Sequence, residues 1–341
     1  MSLMSGWQYA TATGDLEKRL CLKTDLPQPS AENLSPNEVL VESLYVSLNP
    51  ADYKIAELGL LTKFAIGLPA TPGYDFYGRV KAVYPSNQDL KLGDLVFGSL
   101  GSPKQHGTLS QYFIAPMSSC VRVPDGVSPE EAASITSAAM AAYKALAPFI
   151  KTGQKVFING GSGGVGIFAI QIAKILGAEV TTSCSTRNIE FCQGLGAQVI
   201  DYTQGNLIDL HRENGQTFDH IVDKIGDTPD LYRFAHLITK PEAKVAQIGA
   251  PATVSGLIGL LHTLYNKSVP SFLGGAQRRH VFIVGSPNRE DLILLGNWVA
   301  EGKITINIDA KFSFEDTPKA FEKLKTGRTR GKIVIAVTES S

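Results

Sequence analysis

The sequence predicts an α/β chain of two domains, one a small β-barrel and the other a doubly wound parallel sheet. Three observations predict it. From residue 155 onward, apolar strand-like runs alternate with helical stretches, the pattern of a parallel sheet covered by helices. Residues 155–177, KVFINGGSGGVGIFAIQIAKILG, join a buried strand to an apolar helix through a glycine turn. Residues 1–126 instead carry many short alternating runs separated by Gly and Pro, which suits a barrel.

Taken in order, residues 7–10 and 20–22 are short strand candidates, and 25–30 and 34–37 carry turn chemistry. Residues 38–48 (EVLVESLYVSL) alternate as a strand, and 49–54 read as a loop entering a short helix. Strands are expected at 74–83, after the turn at 92–94, and within 107–114. Residues 121–128 read as a linker. Ser128, Pro129 and Glu131 then start a helix, with Ser as N-cap, Pro at the first position and Glu at the third. Two alanine-rich helices run to about residue 150. Parallel strands are expected at 155–159, 178–182, 198–201, 219–223, 244–249 and 280–284. Residues 250–279 are long for a connector, and their apolar part reads either as a helix closing over a ligand or as an ordinary crossover helix. A helix at 292–300, a strand at 303–308, a helix at 318–324 and a strand at 332–337 complete the chain and return to the first domain.

The chain has 341 residues, enough for a large core and two domains. Lys+Arg and Asp+Glu are both 32, which offers nothing to nucleic acid or a charged membrane surface. No run reaches the length of a membrane span, and the start has no signal-peptide character, so a cytoplasmic protein is expected. Cys21, Cys120, Cys184 and Cys192 are scattered without a C-x-x-C pair, which argues against stapling disulfides and a cysteine-rich zinc site.

The glycine turn, Gly161-Ser162-Gly163-Gly164-Val165-Gly166, has the G-x-G-x-x-G spacing of a dinucleotide site in its proper strand-to-helix context. Gly161 suits a tight turn, Gly163 lets a pyrophosphate approach the backbone, and Gly166 lets the helix pack closely. The helix N-terminus then faces the phosphates. An NAD site would place an acid at the end of the next strand to hold the ribose 2′-hydroxyl. This chain has Ser183, Ser185, Arg187 and Asn188 there, hydroxyls, an amide and a guanidinium that suit a 2′-phosphate. NADPH is therefore expected over NADH. Tyr202 stands either beside the adenosine ribose phosphate or as a half-buried strand tyrosine.

The order and spacing of residues 47–54, 72–78, 93–98, 161–166 and 327–334 resemble the medium-chain dehydrogenase/reductase superfamily, in its zinc-free quinone oxidoreductase and enone reductase branch. Residues 187–191 are similar to its plant chloroplast-envelope and other enone-reducing members. The resemblance covers nearly the whole chain. It implies a GroES-like β-barrel catalytic domain over 1–126 and 287–341 and an NADP(H)-binding Rossmann domain over 127–286. It adds Gly249, Ala250, Val284, Gly285 and Lys332 to the cofactor contacts. Zinc-dependent relatives carry Cys where Asn49 stands and His-Glu where Tyr74-Asp75 stands, so no metal is expected here. Many zinc-free relatives have Thr where this chain has Ala141.

Without a metal, reduction of a quinone or of a C=C conjugated to a carbonyl needs a donor aimed at the oxygen that gains charge. Asn49 and Tyr53 follow a strand four residues apart, on one face of a helical turn. The family's substrate meets this loop, which implies that both polarise the acceptor, with Tyr53 also a proton donor. Asn49 is read alternatively as a helix cap, and Asp52 and Lys54 as a solvated pair. The expected activity is NADPH-dependent reduction of quinones or α,β-unsaturated carbonyls by a homodimer paired through the edge strand 280–284. Alternatives are a trans-acting enoyl reductase, with Arg278-Arg279 as a patch for a carrier's phosphopantetheine, or a non-catalytic NADPH sensor.

Overall fold

The computed structural model describes residues 2–86, 89–101, 105–226, 229–249, 277–283 and 285–338. The chain divides into two compact units, Met1–Met140 with Gly285–Ser341, and Ala141–Val284. One boundary falls inside the helix Ser137–Leu146 rather than in the linker at 121–128.

The first unit holds β1 (Leu3–Gln8), β2 (Cys21–Pro27), β3 (Glu38–Leu48), β4 (Asp75–Val83), β5 (Leu95–Ser99), β6 (Tyr112–Pro116) and β7 (Cys120–Arg122). The second holds β8 (Lys155–Asn159), β9 (Glu179–Cys184), β10 (Gln198–Asp201), β11 (Phe218–Asp223), β12 (Thr239–Ile248) and β13 (Arg279–Ile283). Strands β14 (Ile308–Ser313) and β15 (Lys332–Ala336) return to the first unit.

In the first unit β1 and β2 form a hairpin, and the main sheet runs β14-β15-β3-β4-β5-β7, with β6 also paired to β3. The long strand β3 is its spine, because its alternating apolar residues bury Val39, Val41, Val46 and Leu48. Two cores follow. One gathers Trp7, Leu16, Val46, Leu48, Phe321, Ile333 and Ile335; the other gathers Val39, Val41, Phe76, Val96 and Phe113. Strand β7 lies where a linker was expected: Val121 and Arg122 pair with Phe97 and Val96. The strand expected at 303–308 begins only at Ile308, because the N–H groups of Lys303 and Ile304 bond Trp298 O and close the helix Arg289–Ala300.

In the second unit the order β10-β9-β8-β11-β12-β13 is parallel throughout. Strand β8 is central, and the helix Gly166–Ile175 follows it with residues 166–173 all buried. That is why its sequence is apolar on every side. Gly177, at φ 80°, ends the helix by adopting the left-handed conformation open to glycine. Parallel strands aim their carboxyl ends to one edge, so the turns after β8, β9, β10 and β11 gather there.

Candidate functional site

In the second unit, the turn after β8 is built from inside. Asn159 lies opposite Ser183 on one neighbour and Asp223 on the other. Its amide donates to Asp223 Oδ1 at 2.9 Å and accepts from Ser183 Oγ at 2.6 Å. The N–H of Gly160 donates to Ser183 Oγ and that of Gly161 to Ser183 O, both at 2.9 Å. Ser183 was expected at the cofactor; its hydroxyl is fully buried and committed to shaping the turn. The left-handed residue is Gly160, with φ 88°, and not Gly161. Gly161 is required for space instead, since a Cβ there would meet Thr182 Cγ2 at 2.8 Å. At Gly166 a Cβ would overlap the carbonyl oxygen of Gly160, so the helix starts tight against the turn. Residues 162–166 thus lie at the N-terminus of a ten-residue helix whose first N–H groups have no partner within the helix. This geometry fits a dinucleotide pyrophosphate: a backbone cradle that side chains would fill.

The turn after β9 sits beside it. Asn188 is buried and donates to Ser162 Oγ at 3.0 Å and Ser185 Oγ at 3.3 Å, tying three of the expected cofactor residues together. Thr186 and Arg187 are exposed, and no acid stands in residues 184–188. A carboxylate that does reach this turn is Asp201, at the end of β10. It accepts from Thr186 and Thr203 hydroxyls at 2.5 and 2.7 Å, and the Thr186 bond chiefly holds its carboxyl down at about 2. Tyr202 is 51% exposed in the turn after β10. Asp223 caps the turn after β11, accepting the N–H groups of Ile225 and Gly226 and the Tyr232 hydroxyl. Gly249 follows β12 with φ 73°, and Gly285 is half-buried. Ala250, Val284 and the candidate lid at 250–276 lie outside the described residues.

The first unit holds a buried polar cluster where β3, β4 and β15 meet. Lys332 Nζ donates to Asn49 Oδ1 at 2.6 Å and Leu48 O at 3.2 Å, and lies 3.9 Å from Asp75 Oδ2. Asn49 Nδ2 donates to Asp75 Oδ2 at 2.8 Å. The Ser137 hydroxyl donates to Asp75 Oδ1 at 2.5 Å, and its N–H reaches the same oxygen at 3.3 Å. Lys332, expected at the cofactor, is 2% exposed, and its ammonium is spent on this cluster. Burial lowers its affinity for a proton, against the opposing pull of Asp75 and Asp52.

Asn49 is the N-cap residue of the helix Pro50–Ala56, and the cap is made by Asp52, whose Oδ2 accepts the Asn49 N–H at 2.6 Å. Asp52 is therefore no solvated partner of Lys54: it is 3% exposed, and burial pushes its carboxyl up to about 8. Asn49 and Tyr53 keep different company. Tyr53 packs on the core of Trp7 and Leu48, with Lys325 Nζ 5.8 Å from its ring, and burial raises its phenol. Tyr74 is raised too, chiefly by burial, and its hydroxyl contacts Ala51 O at 3.5 Å. Asp75 and Ser137 gave no local sequence signal, because they act as partners of distant residues; Asp52 caps its own helix, but its burial comes from the fold and leaves no mark in its neighbours.

A doubly wound sheet with this turn, and a separate unit with a buried polar cluster, define a two-domain nicotinamide-dependent oxidoreductase. Residues 35–125 match the family described as alcohol dehydrogenase GroES-like domain, and residues 195–335 the family described as zinc-binding dehydrogenase. The trans-enoyl reductase pgmF of Aspergillus terreus is 42% identical, over 99% of this chain and 98% of that protein. The 2-methylene-furan-3-one reductase of Solanum lycopersicum is 32% identical over 98% of this chain and 79% of that protein. The solved quinone oxidoreductase from Coxiella burnetii superposes with a TM-score of 0.84, at 30% identity, covering 99% of this chain and all of that one. The chain belongs to the medium-chain dehydrogenase/reductase superfamily, whose members bind a nicotinamide cofactor, NAD(H) or NADP(H).

Zinc does not fit the cluster. Its donors are the Asn49 amide, the Ser137 hydroxyl and the Asp75 carboxylate, and the amide oxygen and the carboxylate already face Lys332 Nζ, at 2.6 and 3.9 Å. Among the described residues, no group of three His, Cys, Asp or Glu side chains is gathered to hold a metal.

Proposed function

We propose that this protein is a zinc-independent, NADPH-dependent reductase of C=C bonds conjugated to a carbonyl, quinones included among its acceptors. The observation that carries this reading is the Lys332–Asn49–Asp75 cluster, which puts an internal ammonium where metal ligands would otherwise converge. A reductase without a Lewis acid needs an acceptor that is already electrophilic, and a conjugated carbonyl or a quinone is one. The reductases of enoyl, methylene-furanone and quinone substrates among the similar proteins share that chemistry.

The cofactor when bound supplies a hydride; the chain's residues bind, orient and move protons. Residues 161–166 cradle the pyrophosphate, and Ser185, Arg187 and Asn188 receive the adenosine ribose, with Arg187 favouring a 2′-phosphate. Asn49 has two amide hydrogens. Asp75 fixes one, and the other, with Ser47 O at 3.5 Å as its partner among the described residues, is left to polarise the acceptor carbonyl. Tyr53, with its phenol kept protonated by burial, is the proposed proton donor to the reduced carbon. The test is product analysis after NADPH oxidation with a conjugated enone, alongside Asn49→Ala and Tyr53→Phe. Each variant should lose about 10²-fold in kcat. Unchanged kcat in both would remove the assigned roles.

A carrier-bound enoyl substrate is a second reading, favoured by the 42% identity to a trans-enoyl reductase. Arg278 gives it no support: the guanidinium is held by Thr239 Oγ1 at 3.0 Å and Thr239 O at 3.1 Å. We also propose a homodimer paired through β13, which ends the six-stranded sheet as described and exposes Phe282. No helix among the described residues is long and apolar enough to cross a membrane.

A further inference from the structure

The helix Pro50–Ala56 follows Asn49 and carries Tyr53, and its seven residues are too few to hold a helix in place by their own hydrogen bonds. Its start is fixed by the Asn49–Asp75–Lys332 cluster and by the Asp52 cap. Its far end is fixed by a second polar cluster, drawn from distant parts of the first unit. Lys325 ends the helix Thr317–Lys325, and its ammonium lies 3.0 Å from each of Glu57 Oε1, Asp15 Oδ1 and Glu17 Oε2. Glu57 Oε1 also accepts the Leu16 N–H at 2.7 Å, and Arg19 Nη2 donates to Ala56 O at 3.1 Å. Burial works against the proton on Lys325, but the hydrogen bonds to Glu17, Glu57 and Asp15 outweigh it and hold the ammonium charged. The same ammonium lies 5.8 Å from the centre of the Tyr53 ring, within reach of cation–π attraction. Glu57 stands one turn beyond Tyr53, and its N–H donates to Tyr53 O at 2.9 Å. The other charges at this end belong to the helix Leu16–Arg19 and the residue before it: Lys18 pairs with Asp15 at 2.7 Å, and the Arg19 guanidinium lies 5.4 Å from the Tyr9 ring.

We infer that Lys325 is a positioning residue for Tyr53: its ammonium holds the phenol ring directly and, through Glu57, fixes the end of the helix that carries it. This rests on the reading of Tyr53 as the proton donor and deepens it, because the donor's place and acidity then depend on a lysine from the last turn of another helix. Burial and Glu57 both strengthen the phenol's hold on its proton, and Lys325 opposes them. That opposition is in the direction a proton donor needs. The carboxylate and the ammonium therefore have opposite signatures at one phenol, which a purely structural clamp would not have.

The test is a double-mutant cycle in kcat with NADPH and a conjugated enone: wild type, Lys325→Met, Tyr53→Phe and the pair, with circular dichroism confirming the fold of each. Lys325→Met should lower kcat about tenfold with KM changed by less than about twofold, and should cost nothing further in the Tyr53→Phe background. Lys325→Arg, which keeps the charge, should recover most of the loss. A kcat unchanged in Lys325→Met, or lowered equally in both backgrounds, would overturn the action through Tyr53 and leave the proton donor standing. Full kcat in Tyr53→Phe alone would overturn the donor and the inference together. A second measurement needs no turnover and uses the milder variants Lys325→Gln and Glu57→Gln, whose amides still hydrogen-bond within the cluster. Tyrosinate absorbance, taken as the difference from the matching Tyr53→Phe protein, should show Tyr53 ionising at higher pH in Lys325→Gln and at lower pH in Glu57→Gln than in wild type. Shifts of the same sign, or none in either variant, would overturn the role of Lys325.

Discussion

Lys332 is buried among a carbonyl, an amide oxygen and a carboxylate, and its neighbours depend on it. A buried carboxylate stripped of its cation costs far more than the pair is worth as a unit. Lys332→Met should therefore destabilise the protein by about 3–5 kcal/mol in denaturant titration, and adding Asp75→Asn should recover part of it, because the unpaired charge is gone. Equal loss in single and double variants would contradict the pairing. Asp52 makes a separate prediction. Its carboxyl has an ordinary value of 3.8 and is raised to about 8 in the fold. Between those values the native state holds one more proton than the unfolded chain, so this group's contribution to stability falls as pH rises across that window. Asp52→Asn removes the slope: its Tm should gain on wild type steadily from pH 5 to pH 8. Parallel Tm profiles would show that Asp52 is ionised in the fold. Neither residue was legible in the sequence as it acts. Lys332 lies 283 residues from Asn49, and a pairing at that distance leaves no local pattern. Asp52 lies two residues before Lys54 and looks solvated until the chain folds over it.

The glycine turn shows what is legible at the scale of an element. Strand, turn and helix each have their own period, so the unit was placed within a residue or two from sequence. What the spacing did not disclose is which glycine does what, because that depends on neighbours: Ser183 reaching back to Gly160, Thr182 against Gly161, Lys224 over Gly163. Gly166→Ala should abolish dinucleotide binding and lower Tm, since the new methyl meets the Gly160 carbonyl, whereas Gly194→Ala has open space and an ordinary φ and should leave both unchanged or gain a few tenths of a kcal/mol. Dinucleotide titration and thermal melts of the two variants decide it. The strand expected at 303–308 shows the limit in the other direction. Lys303 to Ile308 alternates as a strand should, but Trp298 O has claimed the first two N–H groups, and tertiary hydrogen bonding overrides the local pattern.

At the scale of the molecule, the alternation of strands and helices and the glycine-punctuated first stretch announced two architectures, and both are present as separate compact units. The proposed association through β13 is testable there: Phe282→Lys should shift a dimer to a monomer in sedimentation velocity, since a charge on an edge strand opposes pairing. A wild-type monomer at micromolar concentration would remove that idea. The central claim concerns chemistry, and it is tested most directly by mixing the protein with NADPH and a long-chain conjugated enone, following NADPH absorbance and identifying the product. The saturated ketone, formed at the rate NADPH is consumed, is the result expected if the site works as proposed, without a metal and on an already electrophilic acceptor. An allylic alcohol would mean that the carbonyl itself is reduced, and NADPH binding without consumption of enone or quinone would mean that the site binds and does not catalyse; either result would contradict the account.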